Sequence, residues 1–428
     1  MDGYVIQGGL ALEGKVKVHG AKNSILPVLA ASLLNRSLEP IRLVKVPDLH
    51  DVKAMLKILT RLGAVVIADG EDIILKTDQV DCFHIPEQLM REMRSSIFLI
   101  GPLLGRLGKA SMCYPGGCAI GNRPIDLHLQ GLQALGAIIE EKDGFINARG
   151  KLKGTEVFLT YPSVGATENL IMAGVLARGK TVIHNAAREP EIIDLQNFLN
   201  TIGARVEGAG SSTVTVTGVP EVGGGSYRVY PDRIVAGTYM VAAVVTRGAV
   251  TVEEVIPGHL EAVTSLLLEA GVSVESGDNW ITVHGGPARA VPRVDIHPYP
   301  GIPTDLQPPL VTMLSLARGK SIVVDNVFPR RFGHVAGLNK MGAHISLQGN
   351  RAEIQGVTRL RGATVEATDL RAGAALVLAG LAARGETVVY GRQYIERGYE
   401  SLHLVLNSLG ARVEPVTLPL RGLEAQHA

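Results

Sequence analysis

Cysteine, aromatic side chains and net charge are all scarce in this chain, and each shortage excludes something. There are three cysteines, Cys82, Cys113 and Cys118, with no CxxC pair among them. That number builds no disulfide framework and suits reduced thiols in a cytoplasm. The net charge is +1, which argues against nonspecific nucleic-acid binding, because that needs a broad basic surface. No signal peptide is expected, since Asp2 stands where a positive segment would be and no long apolar run follows. The most apolar stretch, Ala372 to Ala383, is shorter than the roughly 20 residues a membrane span needs. No His, Cys, Asp or Glu cluster has metal-ligand spacing, and no phosphate-loop or dinucleotide fingerprint is present. Neither a metal nor a cofactor is expected.

What the chain does have is length, glycine and repetition. With 428 residues and 46% hydrophobic residues it can bury a large core in two or three domains. Aromatics are only 4% while glycines number 50, a balance that suits close-packed elements joined by tight turns. A helical pattern ending in Leu-Gly-Ala or a near relative occurs six times, with its glycine at 63, 136, 203, 271, 342 and 410. Val52, Met55, Leu56, Leu59 and Leu62 mark one helix face before the first of these. Ile192, Leu195, Leu199 and Ile202 repeat the pattern in the third copy, and Leu402, Val405, Leu406 and Leu409 in the sixth. Each glycine is a natural helix C-cap. Strand-prone stretches follow, such as Ala204 to Val206 and Thr213 to Thr217. A second glycine marker, at 108, 179, 248, 319 and 385, ends another helix. Each unit therefore reads as βαβαββ, an α/β layer that needs neighbours to cover its helices.

The ends of the chain carry a further regularity. Ile6-Gln7-Gly8 with Leu12 and Gly14 reappears 348 residues later as Ile354-Gln355-Gly356 with Leu360 and Gly362. The chain thus opens with strands of a unit whose helices come later. The first 20 or so residues are expected to pair with the last three units. Six units then divide into a first three-repeat domain, 20–230, and a second made of 1–19 with 231–415. Residues 416–428 are set apart as a tail in which disorder is expected.

Once the units are aligned, unusual polar residues fall at two recurrent turns. The turn into the first helix holds Lys22 and Asn23, then Arg94, Ser163 to Gly165, Asp232, Asp305 and Arg371. The turn into the second helix holds the segment from Cys118 to His128, Arg188-Glu189, Arg330-Arg331 and Arg397. Helix N-termini present free N–H groups and partial positive charge. Six such ends pointing one way, with Lys22, Arg94, Arg123, Arg331, Arg371 and Arg397 added, suit a substrate bearing several phosphates or carboxylates. A single arginine at a helix end is more often a surface salt bridge; six at equivalent turns favour a site. Pro115 to Pro124 is the sharpest local signal. Gly116 and Gly117 allow an exposed loop, and a thiol with an ordinary pKa of about 8.5 is protonated near neutrality. Cys118 is therefore a candidate acid, with Arg123 nearby to stabilise its thiolate. Cys82 and Cys113 fit small core positions instead. Asp305, at a helix start, is a candidate base or a cap, and His128 reads first as a helix-face residue.

These segments resemble the enolpyruvyl transferase family, and within it the UDP-N-acetylglucosamine 1-carboxyvinyltransferases, from about residue 1 to 415. The likeness is carried by Ala21-Lys22-Asn23, Pro115 to Pro124, Ser163-Val164-Gly165-Ala166-Thr167, Asn185 to Glu191, Pro231-Asp232-Arg233, Pro303-Thr304-Asp305 and Asp369 to Ala372. The resemblance implies a two-domain inside-out α/β barrel with three units per domain and substrates in the cleft between them. It implies transfer of the enolpyruvyl group of phosphoenolpyruvate to the 3-hydroxyl of UDP-N-acetylglucosamine with release of phosphate, in the cytoplasmic stage of peptidoglycan synthesis. By motif, Lys22, Asn23, Arg123, Arg331, Arg371 and Arg397 would hold phosphoenolpyruvate. Arg94, Arg123, Pro124, Ile125, Asp126, Leu127, Ser163, Val164, Gly165, Asp305 and Val327 would contact the UDP-sugar. Cys118 would protonate phosphoenolpyruvate and could carry it as a covalent adduct. Asp305, Lys22 and Arg397 would complete the catalytic set. Tyr161 stands where some relatives have lysine, and would meet the nucleotide differently, by stacking on the base. The nearest rival is transfer of the same group to shikimate 3-phosphate, disfavoured by the cysteine loop. Rivals of another class are a nucleic-acid clamp and a non-catalytic UDP-sugar-binding regulator. Neither nucleic acid nor membrane is expected as a partner.

Overall fold

A computed structural model describes residues 2–116 and 124–417. They form five four-stranded sheets and one three-stranded sheet, interleaved with helices. The third unit shows the pattern. Its strand Glu156–Phe158 leads through helix Val164–Val175 to strand Lys180–His184, and helix Pro190–Thr201 leads to the hairpin Arg205–Glu207 and Thr213–Thr217. Lys180–His184 runs parallel to the first strand and antiparallel to Thr213–Thr217, giving the expected βαβαββ order.

The Leu-Gly-Ala signature is explained by one backbone motif used six times. All six glycines have positive φ, from 80° at Gly271 to 107° at Gly63, a conformation that penalises any Cβ. In the third unit Gly203 N donates to Asn200 O and Ala204 N to Leu199 O. This pair of bonds caps the last helical carbonyls in the Schellman manner, and the other five copies repeat it. The second glycine marker is less uniform. Gly108, Gly179, Gly319 and Gly385 are left-handed, but in the fourth unit that role passes to Arg247, with φ 57°. Gly248 is kept for a different reason: a Cβ there would lie 1.9 Å from Leu12 O.

The two chain ends and the mid-chain crossing are joined as the 348-residue offset implies. Strand Asp2–Gln7 lies between Glu386–Tyr390 and Arg412–Thr417, antiparallel to both. It takes the place that Arg351–Gln355 holds in the preceding unit. Glu13–Lys17 runs parallel to Ala249–Glu253, and Gly225–Tyr227 closes the first three units by pairing with Ile41–Leu43. The strand ending at Thr417 passes two residues beyond the expected boundary at 415.

Two separate apolar cores result, one drawn from residues 25–229 and the other from 4–18 with 234–413. Each is centred on helices buried on every side. All residues from Ala166 to Val175, Gln307 to Ser315 and Leu370 to Leu381 are buried. Such helices have no polar face and must be interior, so the sheets form the outer wall. No helix of the described residues is long and apolar enough to cross a membrane.

Candidate active site

The six interior helices start at one place. Lys22, Arg94, Ser163, Arg233, Thr304 and Asp369 stand at their first turns or at the caps and 3-10 turns that lead into them, and all six line one cavity of about 870 Å³. Helix dipoles and unsatisfied N–H groups therefore face a common cleft. It is walled by residues of both cores.

Asp305 anchors the second-core side. Its Oδ1 accepts from Arg331 Nη1 at 2.6 Å, and its Oδ2 accepts from Arg371 Nε and Nη2 at 3.0 and 2.8 Å. Burial alone would raise its carboxyl pKa, but the two guanidiniums outweigh burial and hold it far below the usual carboxylate range. The buried Asp325 sets this geometry from behind. It accepts from Thr304 Oγ1 and from the backbone of Val327 and Phe328, which fixes the turn that carries Arg331.

On the other side a second carboxylate plays the same part. Asp51, in the first turn of helix His50–Arg61, accepts from Lys22 Nζ at 2.7 Å and from Arg397 Nε at 2.8 Å. Burial would raise its pKa, and the two cations reverse that and lower it. Arg397 belongs to the second core and Asp51 to the first, so this ion pair crosses between them.

Of the residues expected from sequence, Lys22, Asn23, Arg94, Pro124, Leu127, Ser163, Val164, Gly165, Asp305, Val327, Arg331, Arg371 and Arg397 line the cavity. Gly165 leaves space for neighbours: a Cβ there would lie 3.0 Å from the His128 ring and 3.2 Å from Phe98. Ser163 caps its helix by accepting from Ala166 N. Tyr161 stands at the rim, 40% exposed. His128 is buried, lines the cavity and contacts Asn169 through Nδ1 at 2.8 Å. Ile125 and Asp126 are not among the lining residues. Ile125 is buried in the first core, and Asp126 is an exposed residue opening helix Asp126–Ala134. Arg188 turns outward to Gly210 O, while Glu189 beside it faces the cavity. Cys118 and Arg123 lie outside the described residues. The glycine pair before Cys118 is not two free hinges, because Gly116 N donates to Met90 O and a Cβ on Gly116 would lie 2.0 Å from Arg91 O. Cys113 is buried and Cys82 half-buried, both packed in the first core.

Asp51, Glu168 and Asp325 escaped the sequence reading. Each is a single carboxylate inside an otherwise ordinary element, and one of the two partners of Asp51, Arg397, lies 346 residues away. Only the acidic first turn of the His50–Arg61 helix, beside a recurrent cationic turn, offered a signal.

Comparison with known proteins gives a consistent picture. The family described as EPSP synthase (3-phosphoshikimate 1-carboxyvinyltransferase) matches residues 6–406. The UDP-N-acetylglucosamine 1-carboxyvinyltransferase 1 of Carboxydothermus hydrogenoformans is 50% identical over 97% of this chain and 99% of its own. The UDP-N-acetylglucosamine 1-carboxyvinyltransferase of Coxiella burnetii is 49% identical, covering 97% and 96%. Among solved structures, the enolpyruvyl transferase NikO from Streptomyces tendae matches with a TM-score of 0.87 at 25% identity, covering 98% of this chain and 99% of its own. An EPSP synthase from Acinetobacter baumannii shares the fold, with a TM-score of 0.73 at 19% identity over 98% and 100% of the two chains.

Proposed function

Because the chain belongs to the EPSP synthase family of enolpyruvyl transferases, and near-full-length relatives at about half identity act on UDP-N-acetylglucosamine, we propose that it transfers the enolpyruvyl group of phosphoenolpyruvate to the 3-hydroxyl of that sugar nucleotide, releasing phosphate. The observation that carries this reading is the meeting of Lys22, Asp305, Arg371 and Arg397 in one cleft of about 870 Å³. A cleft of that size suits a nucleotide sugar with a small second anion.

The residues divide the work as follows. Lys22 and Arg397 hold the phosphate and carboxylate of phosphoenolpyruvate, taking those anions in place of Asp51. Arg331 and Arg371 assist, together with Asn23 and Arg123. The sugar nucleotide lies along Arg94, Pro124, Leu127, Ser163 to Gly165 and Val327. Cys118 gives a proton to the methylene carbon of phosphoenolpyruvate, leaving an oxocarbenium-like centre at the adjacent carbon. The sugar hydroxyl attacks that centre and its proton passes toward Asp305. Loss of a methyl proton and of phosphate then restores the double bond in the product. The same thiolate can add to that centre and hold it as a covalent adduct.

Asp305 is a weak base while both arginines face it, because a carboxylate so stabilised has little affinity for a proton. Arrival of substrate anions that draw Arg331 and Arg371 away raises its basicity when the hydroxyl is in place. The two cores support a division into a domain of 20–230 and one of 1–19 with 231–415. Closure of the two excludes water from the intermediate. The substrates are cytoplasmic metabolites, and the enzyme is placed there. A phosphate-release assay with both substrates tests the reading. Wild type should release phosphate and Cys118→Ala should not. Silence from wild type would overturn the assignment, and unchanged turnover in the variant would overturn the proposed acid alone.

A further inference from the structure

One carboxyl group in the cleft has no part in the reaction above and no hydrogen-bond partner among the described residues. Glu168 sits in the second turn of helix Val164–Val175, lines the cavity and is 1% exposed, yet neither of its oxygens has a hydrogen-bond partner among the described residues. Its surroundings form a joint between the two cores. On the first-core side stand Glu189 and Glu191. On the second-core side stand Arg233 and Tyr299. Arg233 donates to Glu191 through Nε at 2.9 Å and Nη2 at 3.1 Å, which commits that guanidinium. Tyr299 N donates to Glu189 Oε1 at 3.3 Å, while Glu189 Oε2 has no hydrogen-bond partner among the described residues. Of the other titratable groups nearby, Tyr161 lies close to Glu189, Asp194 close to Glu191, Asp232 close to Arg233 and His259 close to Glu191 and Arg233, and His128 is engaged with Asn169.

The buried Glu168 thus lies beside the buried Glu191 and the half-buried Glu189, and the one guanidinium at the joint is already paired. A second buried negative charge without a partner is strongly disfavoured, so the joint is short of a hydrogen-bond donor, and a carboxylic acid proton is such a donor. We propose that Glu168 is a positioning residue, holding that proton and sharing it with Glu189, directly or through one water, so that Glu189 keeps its grip on the Tyr299 backbone. Burial, with added repulsion from Glu191 and Glu189, raises the Glu168 carboxyl well above the ordinary range, and burial raises Glu189 as well. Two such carboxyls titrate as a pair around one shared proton. His297, Pro298 and Tyr299 form part of the cleft wall, so the shared proton sets the position of that wall. Loss of the proton at alkaline pH places a second charge in the joint and frees the wall. The consequence for substrate rests on the proposed function and falls on KM for the sugar nucleotide rather than on kcat.

The test compares wild type with Glu168→Gln, which keeps a donor but cannot ionise, and Glu168→Leu, which has none. KM for UDP-N-acetylglucosamine and kcat are measured from neutral to alkaline pH. KM of wild type should rise on the alkaline side with kcat little changed. Glu168→Gln should stay within about twofold of wild type at neutral pH and lose the alkaline rise, while Glu168→Leu should show KM raised about tenfold throughout, the worth of one lost hydrogen bond. Equal alkaline rises in wild type and Glu168→Gln, or a Gln variant as impaired as the Leu variant, would overturn the proposal. Hydrogen exchange of the Tyr299 amide gives a readout independent of catalysis and of ligand. It should be slow in wild type and Glu168→Gln at neutral pH and about tenfold faster in Glu168→Leu. Equal exchange in all three would also reject the role, even if wild type showed no transferase activity.

Discussion

In the first half of the chain, the helix at Lys22 and the 3-10 turn at Arg94 begin without a side-chain cap of their own, whereas in the second half Asp232 and Asp369 each accept two N–H groups from the helix they start. The opposite ends of the helices also differ. In the first half the buried Arg106 donates to the carbonyls of Leu33, Asn35, Asp78 and Val80. At the corresponding place in the second half, two residues before the glycines at 248, 319 and 385, stand Thr246, Ala317 and Ala383, and a cavity of about 280 Å³ lies at that end. One repeat has thus been specialised in two ways. The first half offers two uncapped helix starts, with the cations Lys22 and Arg94, to anions and is bolted at its far end. The second half supplies the proposed base, Asp305, and its two arginines and is looser at its far end. Asp232 links the two, since its other oxygen accepts from Lys22 N across the joint at 3.0 Å.

Four changes would break or sharpen this contrast. The largest effect should come from Asp305→Ala, which removes the proposed base and leaves Arg331 and Arg371 facing each other. Phosphate release should fall by roughly 10²–10⁴-fold, the usual contribution of a positioned base. A loss under tenfold would move the acid-base role elsewhere. Next is Arg106→Met. Burial and nearby Arg36 push this guanidinium down to about 10, so it remains charged at neutral pH, and its removal strands several carbonyls. Thermal unfolding should register about 3 kcal/mol of destabilisation, against about 1 or less for Thr246→Met. Similar costs at the two sites would erase the difference between the far ends. Asp232→Ala should cost about 1–2 kcal/mol through its lost cap, more than Ser163→Ala, which loses a single bond. The smallest effect is in acid. Asp51 has a carboxyl pKa lowered from 3.8, so its stabilising contribution is complete above that value and is lost as pH falls through the depressed one. Asp51→Asn should flatten the acid limb of the unfolding profile by about 1 kcal/mol. An unchanged limb would show that the crossing pair contributes no net stability.

The repeat architecture was legible in the sequence because it is periodic. Six identical Schellman caps leave six visible glycines, and strand Asp2–Gln7 betrays its sheet by matching Arg351–Gln355. The cationic and Asp305 side of the cleft was legible because those residues recur at equivalent turns. The carboxylates that hold them were not. Asp51, Asp325 and Glu168 act through side chains brought close only by folding, and no local pattern separates such a residue from a solvated helix or a strand end. In the sequence Gly116 looks like a flexible glycine and Gly248 like a helix end, yet their need is for close backbone approach, which depends on Arg91 and Leu12 being there.

The pairing of Asp2–Gln7 between Glu386–Tyr390 and Arg412–Thr417 has a consequence for how the protein is made. Strand Asp2–Gln7 leaves the ribosome before residues 25–229, and its partners Glu386–Tyr390 and Arg412–Thr417 leave after them. The core drawn from 25–229 can therefore be complete while the other still waits for its final strand. Long-range closure of this kind is slow and leaves a sheet edge open in the interval. A nascent chain arrested near residue 300 should already protect 25–229 from protease while strand Asp2–Gln7, whose partners are still to come, remains cleavable.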